Sequence, residues 1–444
     1  MGPDYVRPPL AATAAQFKEA QGWKIAAPAD RITRGAWWQV FADPDLDRLE
    51  QQLNLSNQNI ALAAAQYSQS QALLQEAQAG LMPTLGLSAA MTRGHAASSS
   101  GVVSNAYSTA LSASWEPDLW GKVRRTVEAG KAGEQAGAAS LENARLSYQA
   151  QLAVAYLQLY VTDRQAQSLN DSVLAYQQEL KVTQNQYAVG VAGQADVLQA
   201  QNQLETLQVQ AEDMTRARAL LEHAIAVLVG QSPSSFTLGA RTLAPHLPQI
   251  PPLMPSALLE RRPDIAASER QVAQANAEIG VARAAYFPDL TLSASGGYVG
   301  SNLANWISLP NRVWSLGPAL AETLFDGGLR AGQNAAAQAS YDQSVASYRQ
   351  TVLSAFQDVE DNLAAQRVLS QEAVLQHQAV DSARKSAQIV RNQYQAGTAS
   401  FLNLAQANAT QQASERAEFA IINSQLTSAV GLIKALGGGY QTPS

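Results

Sequence analysis

Two stretches of the chain, 81–230 and 286–436, follow one pattern, and this duplication limits what the chain can fold into. Leu81-Met82-Pro83-Thr84-Leu85-Gly86-Leu87-Ser88-Ala89 returns as Tyr286-Phe287-Pro288-Asp289-Leu290-Thr291-Leu292-Ser293-Ala294. Asn185-Gln186-Tyr187 with Gly190 returns as Asn392-Gln393-Tyr394 with Gly397. Each copy reads as strand, loop, strand, very long helix, tight turn, long helix. Such a unit buries its faces against further units, so the chain is expected to assemble.

The strands follow from period-two alternation. Leu85, Leu87, Ala89 and Met91 alternate with Gly86, Ser88 and other small residues, and Tyr107, Thr109, Leu111, Ala113 and Trp115 with Ser108, Ala110, Ser112 and Ser114. In the second copy Leu290, Leu292, Ala294 and Tyr298 alternate with Thr291, Ser293, Ser295 and Gly297; Trp314, Leu316, Pro318 and Leu320 alternate with Ser315, Gly317, Ala319 and Ala321. One face is apolar; the other is small and polar, where the outer face of a soluble sandwich would carry Lys, Glu and Thr. This fits a wide, water-filled barrel with its apolar face on lipid and Tyr107, Trp115, Tyr298 and Trp314 at the membrane interfaces. Four strands cannot close a membrane barrel, which takes about eight. Open edges in lipid would leave backbone groups unpaired. Copies must therefore pool strands, three giving twelve or four giving sixteen, and the pattern does not choose between them.

The helices follow from the absence of proline between Val123 and Val189 and between Leu329 and Ala396. At 1.5 Å per residue each run would be on the order of 100 Å long. Leu141, Tyr148, Leu152, Ala155 and Leu159 form one stripe, and Leu146, Ala150, Ala153, Leu157 and Tyr160 a second. In the other copy Val345, Tyr348, Val352, Ala355 and Val359 form one stripe, with Leu353, Phe356 and Leu363 on another face. One seam would make a two-stranded coiled coil; two seams give each helix a neighbour on both sides, like staves in a tube. Gly190 and Gly193 end the first rod and Gly397 the second, and apolar patterning resumes at Val197 and Leu402, so each chain reverses into a hairpin.

Residues 1–44 read as an irregular segment whose Trp23, Trp37, Trp38 and Phe41 must pack on something. A helix is expected from near Asp45 to about Gly80, where Pro83 stops it. The first repeat then occupies 45–230, a Pro-rich linker 231–262 with one short helix near Ser256–Glu260, the second repeat 263–436, and a tail 437–444.

Chemistry is sparse. There is no cysteine, which excludes thiolate catalysis, disulfides and Cys-ligated zinc and fits a periplasmic or outer-membrane protein. A net charge of −6 argues against nucleic acid. No run of about 18 apolar residues forms a transmembrane helix. His95, His223, His246 and His377 have no ligand spacing, and no Gly-rich phosphate loop is present. Asp358, Glu360 and Asp361 read as a solvated helix face, and Arg261-Arg262 as structural pairing at a helix start. No enzyme, cofactor or metal site is expected, so energy for any transport must come from a partner.

Leu259-Glu260-Arg261-Arg262-Pro263-Asp264-Ile265, followed by Ala275 through Pro288, resembles the signature of OprM-like outer-membrane efflux factors, the NodT-type lipoprotein branch of the TolC superfamily. Leu324-Phe325-Asp326-Gly327-Gly328-Leu329-Arg330, Gly2-Pro3-Asp4-Tyr5 and Trp37-Trp38 through Asp43-Pro44 resemble the same family. The resemblance implies an α+β membrane protein: a homotrimer with a shared twelve-stranded barrel, a periplasmic α-helical tunnel, and a belt built from residues 1–44, the linker and the C-terminal segment. It implies a periplasmic adaptor and an inner-membrane pump of the RND class as partners, and export of drugs, metal ions or other substrates. TolC-like type I protein secretion, or a soluble helical scaffold, are the alternatives. An acylated Cys normally precedes the Val-Gly-Pro-Asp-Tyr stretch in this family; this chain lacks it and opens Met1-Gly2-Pro3-Asp4-Tyr5, as in a mature region restarted with an added Met. By position Leu402 matches a hydrophobic gate residue. Gln406 replaces the family's acidic residue and Gln393 a basic one, which removes the charges of an ionic lock there. Asp196 is the remaining nearby acid, readable as a gate residue or as a helix N-terminal acid. Val189, Gly190, Val191 and Gly193, with Gly397, Thr398, Ser400 and Phe401, are expected to dock the adaptor.

Overall fold

A computed structural model describes residues 2–8, 35–95, 103–240, 248 and 262–438. Trp23 and the short helix expected at Ser256–Glu260 lie outside the described residues. After a 3-10 turn at Trp37–Phe41, helix α1 runs over Pro44–Ser56, and α2 over Gln58–Ala79. Asp43 caps α1 by accepting from the backbone N–H of Asp45 and Leu46, with Pro44 in the first turn. The single helix expected from Asp45 to Gly80 is thus broken at Asn57, whose backbone is extended (φ −67°, ψ 121°). Its Oδ1 accepts from Asn59 N and Ile60 N at 2.9 and 3.0 Å, restarting the helix, while its Nδ2 donates to Leu228 O at 2.7 Å.

The strands are β1 (Thr84–His95), β2 (Val103–Trp115), β3 (Asp289–Gly300) and β4 (Arg312–Ala321), antiparallel in the order β1-β2-β3-β4. Pairing is continuous, so the alternation carries through: Leu85, Leu87, Leu111, Leu316 and Leu320 share one exposed face, and Ser88, Ser112, Ser293 and Gly317 the other. Close backbone approach explains one glycine, since a Cβ at Gly297 would collide with the Thr109 carbonyl. The two hairpins are staggered. His95 ends β1 opposite Val103, whereas Gly300 ends β3 opposite Tyr107, four residues further along β2.

Helices α3 (Lys122–Ala188) and α6 (Leu329–Gln395) each have 67 residues; α4 (Gln194–Leu228) and α7 (Phe401–Ala435) each have 35. Helix α5 covers Pro263–Ala284. Among the described residues no helix is long and apolar enough to cross a membrane.

The chain divides into two compact units. The first (Met1–Ala11, Ala65–Ser140, Ile265–Thr351) holds the sheet and α5. Its N-terminal segment is tied down by Tyr5 Oη donating to Glu269 (2.6 Å), Arg125 to Asp4 (2.8 Å), Asn276 to the Pro3 carbonyl (3.0 Å) and Arg7 to Tyr348 Oη (3.1 Å). Trp120 stacks on Phe287 with ring centroids 5.1 Å apart.

The second (Ala12–Ala64, Leu141–Asp264, Val352–Ser444) is a helical body whose core includes Trp37, Phe41, Leu46, Leu49, Leu53, Leu152, Leu157 and Ile225. Tyr156 Oη donates to Asp43 at 2.9 Å. Both α3 stripes are largely buried here, including Leu146, Leu152, Ala153, Leu157 and Leu159. On α6 the stripe Tyr348, Val352, Ala355, Val359 is buried, but Leu353 on the other face stays 55% exposed. The acidic face of α6 is solvated at Asp358 and Asp361, and Asp358 also accepts from Arg262 at 3.0 Å; Arg262 pairs with Asp264 as well (2.7 Å) and donates to the Ala435 carbonyl (3.3 Å). The buried guanidinium comes from outside α6, so helical periodicity could not reveal it.

Candidate functional site

The two helix reversals in the second unit share one backbone. Gly190 and Gly397 have φ of 79° and 76°, the left-handed values glycine tolerates without strain. Val191 N donates to Gln186 O and Thr398 N to Gln393 O, each at 2.8 Å, while Gly190 N and Gly397 N donate to Tyr187 O and Tyr394 O at 3.0 Å. This double closure satisfies carbonyls that a helix end leaves open.

Their surfaces differ. Val189 and Val191 stand 75% and 71% exposed at the first turn. At the second, Phe401, expected among the docking residues, is 4% exposed and packs edge-on against Tyr394, centroids 5.8 Å apart, with Ala200, Leu404 and Ala405. Thr398 donates to the Gln393 carbonyl at 3.0 Å, and Ser400 caps α7 by accepting from Asn403 N. Leu402 is 61% exposed and shares an open face of α7 with Gln406, one turn on. Asp196 is not joined to either: its carboxylate accepts from Gly193 N at 3.0 Å and closes the start of α4.

Two turns back from these tips lies a polar network that sequence reasoning missed. Glu179 on α3, only 8% exposed, accepts from Arg391 Nε on α6 and from Asn408 Nδ2 on α7, both at 2.8 Å. Burial raises the Glu179 carboxyl above its ordinary range, and Arg391 opposes that shift. Thr183 and Tyr394 hydroxyls bond at 2.8 Å. Further along, Glu415 on α7 accepts from Arg384 at 2.8 Å and from Ser168 at 3.1 Å. Of these groups, Arg384, Arg391, Asn408 and Glu415 border a cleft of about 350 Å³ that Arg164, Asp171 and Tyr176 also line. One signal was available: His377, Arg384 and Arg391 recur every seven residues on α6, and each meets a glutamate, His377 pairing with Glu418 at 2.8 Å. Among the described residues no cluster of His, Cys, Asp or Glu has metal-binding geometry.

A four-stranded sheet with one apolar and one small polar face stands beside paired rods of 67 and 35 residues, and comparison with known proteins gives the class: a channel-type protein of the outer membrane with a periplasmic portion. The profile of the outer membrane efflux protein family matches residues 49–231 and 254–438, and the chain belongs to that family. The probable efflux pump outer membrane protein TtgC of Pseudomonas putida is 30% identical over 99% of this chain and 92% of its own length. The pyoverdine export outer membrane protein OpmQ of Pseudomonas putida is 31% identical over 95% of this chain and 92% of its own. The solved outer-membrane channel OprN superposes with a TM-score of 0.89 at 28% identity, covering 99% of both chains. Proteins of this family are transport conduits rather than enzymes.

Proposed function

We propose that the protein is the exit duct of a tripartite efflux system, acting as a homotrimer. Three copies contribute four strands each to one barrel, and their long helices line a periplasmic tunnel. The carrying observation is the sheet: among the described residues it has two open edges, on β1 and β4, and an apolar face exposed along its length. Unpaired edges cost several kcal/mol per backbone group in lipid, so further strands must cover them. Exposed Leu353 on α6 is consistent with a seam to a neighbouring copy. Within each copy the halves 45–230 and 263–436 serve as equivalent units, with 1–44, 231–262 and 437–444 as belt and tail. Tyr107, Trp115, Tyr298 and Trp314 act as interface aromatics.

The tapered end is the gate. Leu402 supplies apolar closure and Gln406 a polar contact, with Asp196 holding the adjacent turn. A periplasmic adaptor docks on Val189, Gly190, Val191 and Gly193 and on the second turn at Gly397, Thr398 and Ser400, with Phe401 supporting that turn from beneath. The inner-membrane pump, of the RND class, supplies the energy. Opening requires the adaptor to bind the splayed hairpins more tightly than the closed ones. Single-channel recording of the protein in planar bilayers tests the gate: Leu402→Ala should raise the closed-state conductance and increase antibiotic leak in cells. Unchanged conductance and leak would remove Leu402 from the gate. A single-subunit particle with no conductance would end the duct reading.

A further inference from the structure

The apolar face of the sheet carries charge at one end only. Strict alternation puts Arg93 and His95 in the row of Leu85, Leu87, Ala89 and Met91 on β1. Arg312 likewise heads the row of Trp314, Leu316, Pro318 and Leu320 on β4. All three side chains are exposed. The four strands contain one acidic residue, Asp289, at the opposite end, and the connecting sequences 96–102 and 301–311 contain no charge. Tyr107 and Trp306 meet at the cationic end, with centroids 6.3 Å apart. That end is remote in the chain from the helices, which join the strands at Thr84, Trp115, Asp289 and Ala321. In the duct reading, on which this inference rests, it lies at the outer leaflet.

The basic residues also occupy particular strands. Arg93 and His95 lie on β1 and Arg312 on β4, the two edges of the sheet, whereas β2 and β3 have no basic residue. Closing a barrel from copies sets β4 of one against β1 of the next, antiparallel because the two run in opposite directions. The four-residue stagger between hairpins is the kind that tilted barrel strands require, and it lifts the first residue of β4 toward the level of the end of β1. Arg312 of one copy then approaches Arg93 and His95 of the next. Cations gathered at a lipid-facing seam repel one another unless an anion sits between them. At headgroup depth the available anions are phosphates, and guanidinium groups bind phosphate oxygens two at a time.

We propose that each seam between copies binds the phosphate groups of an outer-leaflet glycolipid of the lipid A class, bridging Arg312 of one copy to Arg93 and His95 of its neighbour. The test is native mass spectrometry of the detergent-extracted assembly titrated with diphosphoryl lipid A, with the same lipid lacking phosphates, and with inorganic phosphate. Diphosphoryl lipid A should add up to one molecule per seam and slow subunit dissociation, while the other two additives should do neither. Arg93→Gln combined with Arg312→Gln should weaken lipid A binding roughly thirtyfold, from about 1 kcal/mol per arginine near an anionic surface. Lysine at both positions should restore much of it. Equal binding of the phosphate-free lipid to the unaltered protein overturns the proposal, even where the double variant fails to assemble. So does unchanged lipid A binding by an assembled double variant. In that last case intact subunit count and conductance leave the duct reading standing; a wild-type protein lacking both would bring down the duct itself.

Discussion

The two hairpin turns are alike in backbone and unlike in surface. Gly190 and Gly397 adopt φ values 3° apart and close the same pair of hydrogen bonds, yet one turn exposes Val189 and Val191 and the other buries Phe401 beneath Tyr394. Turn geometry is set by a glycine and the two residues after it. The use of the turn is set by which neighbours point outward. The first tip is therefore an apolar knob resting on a polar cap, Asp196 to Gly193, and the second a packed aromatic wedge that leaves Leu402 free.

The strongest way to break this contrast is truncation. Phe401→Ala removes a buried ring and should cost the second tip about 3–5 kcal/mol, whereas Val191→Ala at the first should stay within about 0.5 kcal/mol. Hydrogen exchange at the two turns distinguishes them, and equal loss at both would refute the difference. Next in size is the network behind the tips. Glu179→Ala strands Arg391 and Asn408 and should destabilise α3 against α6 and α7 by about 3 kcal/mol, lowering the thermal midpoint and raising closed-state conductance. Glu179→Gln, which keeps one acceptor, should cost less. The shared backbone is sharpened by Gly190→Ala and Gly397→Ala, each expected to cost about 1–2 kcal/mol because both sites require the left-handed region; unequal costs would mean the turns are not equivalent.

The smallest effect is a pH dependence at His377. Its hydrogen bond to Glu418, then the charges of Asp381 and Glu418, raise its pKa in the folded state. A raised folded pKa means the stabilisation is complete below the unfolded value of about 6.5 and fades as pH rises through the folded one. NMR titration of the His377 ring should give a midpoint above that of an unfolded peptide, and Glu418→Gln should lower it. A midpoint unaffected by Glu418→Gln would remove the pair.

The lengths of α3 and α6 were legible because proline is absent for their whole extent, and the strands because their alternation is unbroken. Asn57 was missed because apolar periodicity continues across it, which hid its local cap on Asn59 and Ile60; its second bond, to the Leu228 carbonyl far along the chain, has no local signal. Glu179 and Arg391 are more than 200 residues apart, so no local pattern links them. The seven-residue spacing of cations on α6 was visible, but not the helix that supplies each partner. The pairing of exposed Asp358 with Arg262 was missed for the same reason: a helical face is readable from one helix, and what docks on it is not. Leu402 and Gln406, one turn apart on α7, were readable as neighbours because both belong to a single helix.

The slip of four residues between successive hairpins has a consequence for size selection. In the proposed barrel that slip, repeated around the wall, governs how steeply the strands lean, and lean together with strand number determines the bore. Shifting that slip by a residue pair would therefore change the largest solute admitted while keeping the same face of each strand toward the lumen.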